Sequence, residues 1–144
     1  MIRVASQEDF PAIAQLAAML WPSEDENILL GEFKANHGSS DHALYICEEK
    51  NEVIGFVELS LRNDYVEGTS SSPVAYIEAI FVKEQYRKQR IGIALVQRAE
   101  EWAREKGCRE LASDTEISNI TSQNFHKQCG FEEANRIVAF VKAL

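Results

Sequence analysis

Apolar residues recur along the chain in two different periods, and each period predicts one type of element. Near the N-terminus the apolar residues lie three and four positions apart, which predicts a helix with one apolar face made of Ile13, Leu16, Ala17 and Leu20. A weaker stripe of Ile28, Leu29 and Phe33 predicts a second helix. The short apolar run Ile2–Ala5, ahead of both helices, predicts a first strand.

The apolar runs in the middle of the chain predict β-strands. Two apolar runs, residues 43–49 and 53–62, flank a short polar turn and predict an antiparallel hairpin. The run Val74–Val82 is almost entirely apolar, which is typical of a strand buried on both faces. The last nine residues, Arg136–Leu144, predict a closing strand because they are rich in branched and aromatic side chains.

A helix lies between two of these strands. Its apolar stripe consists of Leu95, Val96, Ala99, Trp102 and Ala103, and Gly107 predicts its end. The strand Cys108–Asp114 follows, so Val74–Asp114 forms a βαβ unit whose two strands should be parallel neighbours. A short helix at Asn119–Gly130 comes next. These elements predict one α/β domain, residues 1–144, with a mixed sheet.

Charge and composition narrow the function. The chain has 144 residues with 23 acidic and 15 basic side chains, a net charge of −8. Nucleic acid is an unsuitable partner for such a surface, whereas a cationic small molecule suits it; plain solubility is the alternative. No apolar run reaches the ~20 residues of a membrane span, and the first residues do not resemble a signal peptide, so we expect a cytoplasmic protein. The three cysteines show neither disulfide nor zinc spacing, and no metal is expected.

A basic turn stands between the buried strand and the helix that follows it. The first N–H groups of a helix have no partner within the helix, and the helix dipole favours an anion there. Arg87, Lys88 and Arg90 add positive charge to this turn. Neither a Walker motif nor G-x-G-x-x-G is present, so nucleoside triphosphatase and Rossmann sites are not indicated. The turn predicts a phosphate site, with a solvated helix start as the alternative.

The turn resembles the pyrophosphate loop of GNAT-superfamily N-acetyltransferases, [QR]-x-x-G-x-[GA]. Arg87 and Gly92 match the first and last positions, while Arg90 stands where the family usually has glycine. The resemblance implies the GNAT fold, a mixed, mostly antiparallel sheet whose central parallel strand pair is splayed around acetyl-CoA and flanked by helices. It implies acetyl-CoA as the acetyl donor, held by Ile80, Phe81, Val82, Arg87, Lys88, Gln89, Arg90, Ile91, Gly92, Ile93, Asn119, Ser122 and His126.

A second motif agrees with the first. The later helix of the family typically carries N-x-x-A, then a tyrosine, and ends in G-F. This chain has Asn119, Ser122, His126 and Gly130-Phe131 at matching spacing. The resemblance implies that His126 takes the place of the tyrosine that protonates the leaving thiolate, because histidine can also donate a proton. The alternative is that His126 only lines the donor channel.

Two carboxylates are candidates for the acceptor side. Glu78 lies within an apolar strand, where an unpaired carboxylate is costly, so it either meets a partner or faces a cleft. Asp114 ends the neighbouring strand, and ligands of open α/β sheets gather at the carboxyl ends of strands. The two acids are therefore predicted to bind ammonium groups. A salt bridge for Glu78 and a turn at Asp114 are the alternatives.

A narrower resemblance covers nearly the whole chain. "MLWPSE", "LRNDYVEGTSSSPVAYIEAIFV" and "ELASDTEISN" are similar to segments of the aminoglycoside 6′-N-acetyltransferases of antibiotic resistance. It implies a homodimer and an antibiotic site lined by Trp21, Tyr65, Glu78 and Asp114, although either aromatic could instead be core packing. Glu78 would accept the proton of the attacking amine, and Asp114 would hold and orient the cationic substrate. A backbone N–H near Phe81 would stabilise the oxyanion. Acetylation of another amine, a polyamine or a peptide N-terminus, and a non-catalytic acyl-CoA sensor remain alternatives.

Overall fold

One five-stranded mixed sheet forms the centre of the protein, whose computed structural model describes residues 1–144. The first four strands are antiparallel neighbours in chain order, and the fifth pairs parallel with the fourth. This confirms the mixed sheet and the parallel pair of the βαβ unit. The strands are β1 (Ile2–Val4), β2 (His42–Glu49), β3 (Glu52–Arg62), β4 (Val74–Val82) and β5 (Leu111–Ser113).

Helices cover both faces of this sheet. They are α1 (Phe10–Leu20), α2 (Glu26–Asn36), α3 (Ile91–Glu105) and α4 (Ile120–Gln128). Because side chains alternate across a strand, β3 sends Phe56 into a core with α1 and α2, and Val57 into a second core with α3. None of the four helices is long and apolar enough to cross a membrane.

A β-bulge interrupts β4 at Glu78. Glu58 of β3 faces Ala79 and the next residue, Leu59, faces Ile77, so Glu78 is the extra residue on β4. A bulge bends its strand and re-aims a side chain. The pairing of β4 with β5 ends at Ile77, directly before the bulge. The last five residues of β4 therefore have no strand beside them on that side, and the sheet opens there.

The predicted closing strand is absent from the chain as folded alone. Residues 132–144 carry no helix or strand, and no backbone–backbone hydrogen bond involves them. The prediction of a strand at Arg136–Leu144 is therefore wrong for the isolated chain. The composition of a segment sets its strand propensity, but a strand also needs an edge to pair with, and this segment contacts none.

Candidate active site

Six consecutive backbone N–H groups, those of Lys88–Ile93, have no acceptor within the protein. Three of them precede α3 and three belong to its first turn, where a helix has no internal acceptor to offer. The helix that they begin is 15 residues long, so its dipole adds partial positive charge at the same place. The turn is therefore a preformed anion site, and its donor set fits a pyrophosphate group.

Two left-handed residues shape this turn. Lys88 has a φ of 63° and Arg90 a φ of 65°, a conformation that costs a side-chain-bearing residue roughly 1 kcal/mol. Arg90 thus has the left-handed backbone conformation that glycine adopts without strain, at the position where the GNAT pattern usually has glycine. The guanidinium of Arg87 donates from Nε to the carbonyl oxygen of Val82 at 2.8 Å and lies 5.3 Å from the ring centroid of Phe81. These contacts tie the turn to the end of β4.

Gly92 has a packing role that the sequence did not reveal. A Cβ at this position would lie 2.9 and 3.0 Å from ring carbons of Phe125. Gly92 thus lets α4 pack against the start of α3, because any larger residue at this position would collide with the ring of Phe125.

Alanine at Gly92 should therefore destabilise the protein by about 1 kcal/mol, because overpacking against Phe125 outweighs the gain in helix propensity. The matched control is Gly31→Ala in α2, where a Cβ meets nothing within 4 Å and should stabilise by up to ~1 kcal/mol. Urea unfolding of both variants measures the two signs. Equal shifts in the same direction would contradict the packing assignment.

The donor side continues into the opening of the sheet. Ile80 and Phe81 are half-buried on the part of β4 that lacks a β5 neighbour, and Val82 is buried. Asn119 is the N-cap residue of α4, and its side-chain oxygen accepts the N–H of Ser122 at 3.0 Å. Asn119 therefore has at least a capping role.

The ring of His126 is held by two short hydrogen bonds and by a longer contact of 3.4 Å between its Nδ1 and Oγ of Ser122. Its Nδ1 lies 2.7 Å from the carbonyl oxygen of Ser122, which can only accept, so Nδ1 carries the proton. Its Nε2 lies 2.8 Å from Oγ of Ser113, the residue of β5 that faces Ile77 where the strands separate. In the neutral ring Nε2 therefore accepts from the Ser113 hydroxyl. A neutral His126 has no free N–H, whereas its imidazolium form would donate through Ser113.

On the acceptor side, Glu78 is held by two partners. Its Oε1 accepts from the Ser60 hydroxyl at 2.6 Å, and its two oxygens accept from the guanidinium of Arg62 at 2.8 to 3.0 Å. The bulge makes this possible, because it turns Glu78 toward the same face as Ser60 and Arg62. The side chains of Glu78 and Arg62 remain 30% and 41% exposed. The salt bridge that the sequence left open as an alternative is therefore present, on a carboxylate that solvent still reaches.

The network continues to Asp114. The guanidinium carbon of Arg62 lies 3.4 Å from the ring centroid of Tyr76, and the Tyr76 hydroxyl donates to the carboxylate of Asp114. Burial, followed by this hydrogen bond, raises the pKa of Tyr76 well above its ordinary value. Asp114 itself is exposed at the end of β5. The two predicted carboxylates, Glu78 and Asp114, thus belong to one connected cluster.

Glu58 is a third carboxylate that the sequence reasoning missed. It lies on β3 opposite the bulge and makes no hydrogen bond or salt bridge. Burial, and then the nearby charges of Glu78 and Glu32, raise the pKa of Glu58 to about 7. The available signal was its position between Val57 and Leu59, a carboxylate inside an apolar strand.

Glu58 should make stability depend on pH. Its pKa in the folded protein lies above the ordinary 4.5. The contribution of Glu58 to the free energy of unfolding is therefore fully present below pH ~4.5 and is lost as the pH rises through about 7. Relative to Glu58→Gln, the wild type should lose up to about 3 kcal/mol of unfolding free energy over this range. Urea unfolding at pH 5 and pH 8 measures it, with exposed Glu24→Gln as the control. Parallel curves for Glu58→Gln and wild type would contradict the assignment.

The two predicted aromatic residues occupy different positions. Trp21 directly follows α1 and packs, half-buried, against the core that contains Phe56. It lies on the same face of the sheet as Glu78. Tyr65 is 76% exposed in the loop that follows β3. The end of β3 and the start of this loop, residues 61–65, line a shallow depression of about 420 Å³. Tyr65 is therefore not core packing, and Arg62 connects its depression to the carboxylate cluster.

Comparison with known proteins identifies the family. Residues 8–131 match the acetyltransferase (GNAT) family. The aminoglycoside N(6′)-acetyltransferase type 1 of Stenotrophomonas maltophilia is 40% identical over 140 residues, which span 96% of this chain and 90% of that protein. The protein of the same name from Serratia marcescens is 37% identical over 145 residues, spanning 100% of this chain and 99% of that protein.

Solved structures agree in fold. AAC(6′)-Iy in complex with the bisubstrate analog CoA-S-monomethyl-acetylneamine superimposes with a TM-score of 0.94 at 33% identity, covering 100% of this chain and 98% of that chain. AAC(6′)-Ih from Acinetobacter baumannii superimposes with a TM-score of 0.91 at 33% identity and the same coverage. With the open sheet and the anion-binding turn, these matches lead to one conclusion: the chain belongs to the GNAT family of acetyltransferases.

Proposed function

We propose that the protein transfers the acetyl group of acetyl-CoA to the 6′-amine of aminoglycosides and so confers resistance to them. The observation that carries the proposal is the juxtaposition of a six-amide anion site with a carboxylate cluster across one opening of the sheet. A pyrophosphate suits the first and a polycation suits the second. The full-length similarity to aminoglycoside N(6′)-acetyltransferases supports this choice of amine.

Lys88–Ile93 would hold the pyrophosphate of the donor through their backbone N–H groups, with Arg87, Lys88 and Arg90 adding charge. Ile80 to Val82 would line the pantetheine arm, along the stretch of β4 that has no β5 neighbour. Acetyl-CoA supplies the thioester that is attacked. A backbone N–H near Phe81 would stabilise the oxyanion, a contribution of roughly 3 kcal/mol in comparable sites.

Glu78 would accept the proton of the attacking amine, directly or through a water. Arg62 engages both oxygens of Glu78, so a bound ammonium group must compete with that guanidinium. A polycation next to Glu58, Glu78 and Asp114 can do so, because it replaces one positive charge with several. Asp114 would orient the substrate, and Trp21 and Tyr65 would offer flat faces for its rings.

His126 would supply a proton to the leaving thiolate through the hydroxyl of Ser113. The route needs the imidazolium form, because Nδ1 is committed to the Ser122 carbonyl and neutral Nε2 accepts from Ser113. On this route Ser113 gives its proton to the thiolate and receives one from Nε2. Water is the competing proton source.

We place the reaction in the cytoplasm, the expected location from the sequence, and propose a homodimer as the working assembly. The exposed apolar side chains at the C-terminus support an assembly of more than one chain.

Release of free coenzyme A, followed with a thiol reagent, tests the proposed function. We expect turnover with kanamycin and tobramycin, and none with an aminoglycoside that differs from a good substrate only by a 6′-hydroxyl in place of the 6′-amine. Strong turnover of spermidine or a peptide N-terminus without turnover of aminoglycosides would overturn the choice of substrate. Tight donor binding without turnover of any amine would indicate an acyl-CoA sensor.

A further inference from the structure

The guanidinium of Arg62 occupies the carboxylate of Glu78, on which the proposed function depends. Nη2 of Arg62 lies 2.8 Å from Oε2 and 2.9 Å from Oε1 of Glu78, and Nε lies 3.0 Å from Oε1. A planar fork of donors thus faces both oxygens of one carboxylate, which is the geometry of the stronger ion pairs. With the hydrogen bond from Ser60, Glu78 accepts four hydrogen bonds, about as many as a carboxylate has lone-pair sites.

Glu78 cannot keep this partner and also take a proton from an amine. Three of the four hydrogen bonds are made to Oε1, so that oxygen has no lone pair to offer. An ammonium group at Oε2 would stand beside Nη2 of Arg62, a few ångströms from a like charge. Binding of the reacting amine at Glu78 therefore requires Arg62 to leave.

Arg62 is held in the way that a cationic substrate is expected to be held. Its guanidinium carbon lies 3.4 Å from the ring centroid of Tyr76, which is a cation–π contact. The hydroxyl of that tyrosine donates to the carboxylate of Asp114. The guanidinium thus contacts the same two kinds of group, a carboxylate and an aromatic face, that the proposed function assigns to the amine.

The position of Arg62 allows it to leave the carboxylate. Its side chain is 41% exposed, and ion pairs that solvent reaches contribute little to stability. Arg62 is the last residue of β3, and it lines the shallow depression of residues 61–65. Asp64 is exposed in the same depression. Rotation about the side-chain bonds of Arg62 would carry its charge into this depression, where water and Asp64 can receive it.

We propose that Arg62 is a specificity-determining residue of the acceptor site, a built-in competitor that the reacting ammonium group displaces from Glu78 into the depression of residues 61–65. The inference rests on the proposed function, because it concerns the amine that this function acetylates. Displacement exchanges one ion pair of Glu78 for another, so an amine with a single charge gains little at this carboxylate. A polycation has further ammonium groups for Glu58 and Asp114, and those contacts supply its affinity.

Competition by Arg62 and plain repulsion by its charge predict different selectivity. A competitor raises the dissociation constant of every amine that binds Glu78 by the same factor, because each amine must break the same ion pair. Repulsion raises the dissociation constant further with each additional ammonium group, and salt screens it. Under competition, weakly held amines with one charge do not occupy the site at ordinary concentrations, whereas polycations do.

Amine binding measured by amide NMR titration, without donor, separates these cases. Arg62→Met keeps an apolar stem and removes the donors, so it should lower the dissociation constant of kanamycin about 5-fold. Methyl 6-amino-6-deoxyglucoside, which has one ammonium group, should gain the same factor. Arg62→Lys keeps the charge without the planar fork and should gain less. The matched control is Arg104→Met, which removes the same charge from a side chain that is 73% exposed on α3 and should change neither constant.

The stability of Arg62→Met shows whether the arginine has only a structural role. The substitution leaves Glu78 without its ion pair, so the midpoint of urea unfolding should fall slightly while the affinity for kanamycin rises. A residue that merely shapes the site would lower stability and affinity together.

The Nε–H signal of Arg62 in nitrogen-15 NMR reports the displacement directly. It should shift and exchange faster with water as kanamycin saturates the wild type. The Nε–H of Arg87, which donates to the carbonyl of Val82, is the control and should not change.

Three results would overturn the proposal: an Arg62 signal that stays unchanged at saturation, equal or weaker kanamycin binding by Arg62→Met, or a gain that grows with the number of ammonium groups. Tighter binding by Arg62→Met, with no acetyl transfer by the wild type, would contradict only the proposed function. If neither protein bound any amine, both the proposed function and this inference would be wrong.

Discussion

Glu78→Gln should lower kcat for a 6′-amino aminoglycoside by about 10²- to 10⁴-fold, the usual contribution of a positioned general base. Glutamine keeps the shape of the side chain and a hydrogen bond to Ser60, but it cannot take a proton from the amine. Donor affinity should remain unchanged, because Glu78 lies on the acceptor side of the opening. Steady-state kinetics and calorimetric binding of coenzyme A measure the two quantities separately.

Glu58→Gln is the matched control for this prediction. It removes a neighbouring carboxylate that has no hydrogen-bond partner, so we expect a higher KM for the cationic substrate and a smaller loss of kcat. If Glu58→Gln abolished turnover and Glu78→Gln did not, the base would be Glu58 and Glu78 would only pair with Arg62. Equal losses of turnover and donor affinity in Glu78→Gln would indicate misfolding of the bulge.

Removal of the pyrophosphate from the donor should have the second large effect. Acetyl-pantetheine retains the thioester and the arm but offers nothing to the six free N–H groups of Lys88–Ile93. Hydrogen bonds to a charged group contribute ~1.5–3 kcal/mol each, so loss of only two or three lowers kcat/KM by at least about 10²-fold. Initial rates with acetyl-CoA and acetyl-pantetheine at one aminoglycoside concentration measure the ratio.

Lys88→Met makes this comparison specific to the turn. The substitution removes a charge beside the anion site and leaves the backbone N–H groups in place, so the rate with acetyl-CoA should fall several-fold. The rate with acetyl-pantetheine should not change, since that donor has no phosphate. If both donors lost the same factor, or if acetyl-pantetheine served as well as acetyl-CoA, the turn would not be the pyrophosphate site.

The spacing of apolar residues along the sequence was sufficient to predict most of the helices and strands. The α3 stripe from Leu95 to Ala103 and the apolar run of β4 predicted a βαβ unit, and β5 is indeed parallel to β4. The strand predicted at 108–114 proved to be only Leu111–Ser113, because element ends depend on pairing that the sequence does not display.

The site was less predictable because it depends on register. Glu78 was predicted as a cleft residue, but nothing in the order of residues shows that a bulge at Glu78 turns it toward Arg62, sixteen positions earlier. Glu58 joins the cluster for the same reason. For Arg136–Leu144, the strand propensity is evident in the sequence, whereas the availability of a sheet edge for pairing is not.

Amide NMR of the labelled protein, titrated first with coenzyme A and then with an aminoglycoside, tests the central claim most directly. Coenzyme A should shift the backbone amides of Lys88 to Ile93 most strongly, and the aminoglycoside should then shift the Trp21 indole and the amides around Glu78 and Asp114. Amides of Lys88–Ile93 that stay unchanged when coenzyme A binds would show that the donor is held elsewhere, and would contradict a preformed anion site facing an acidic cleft.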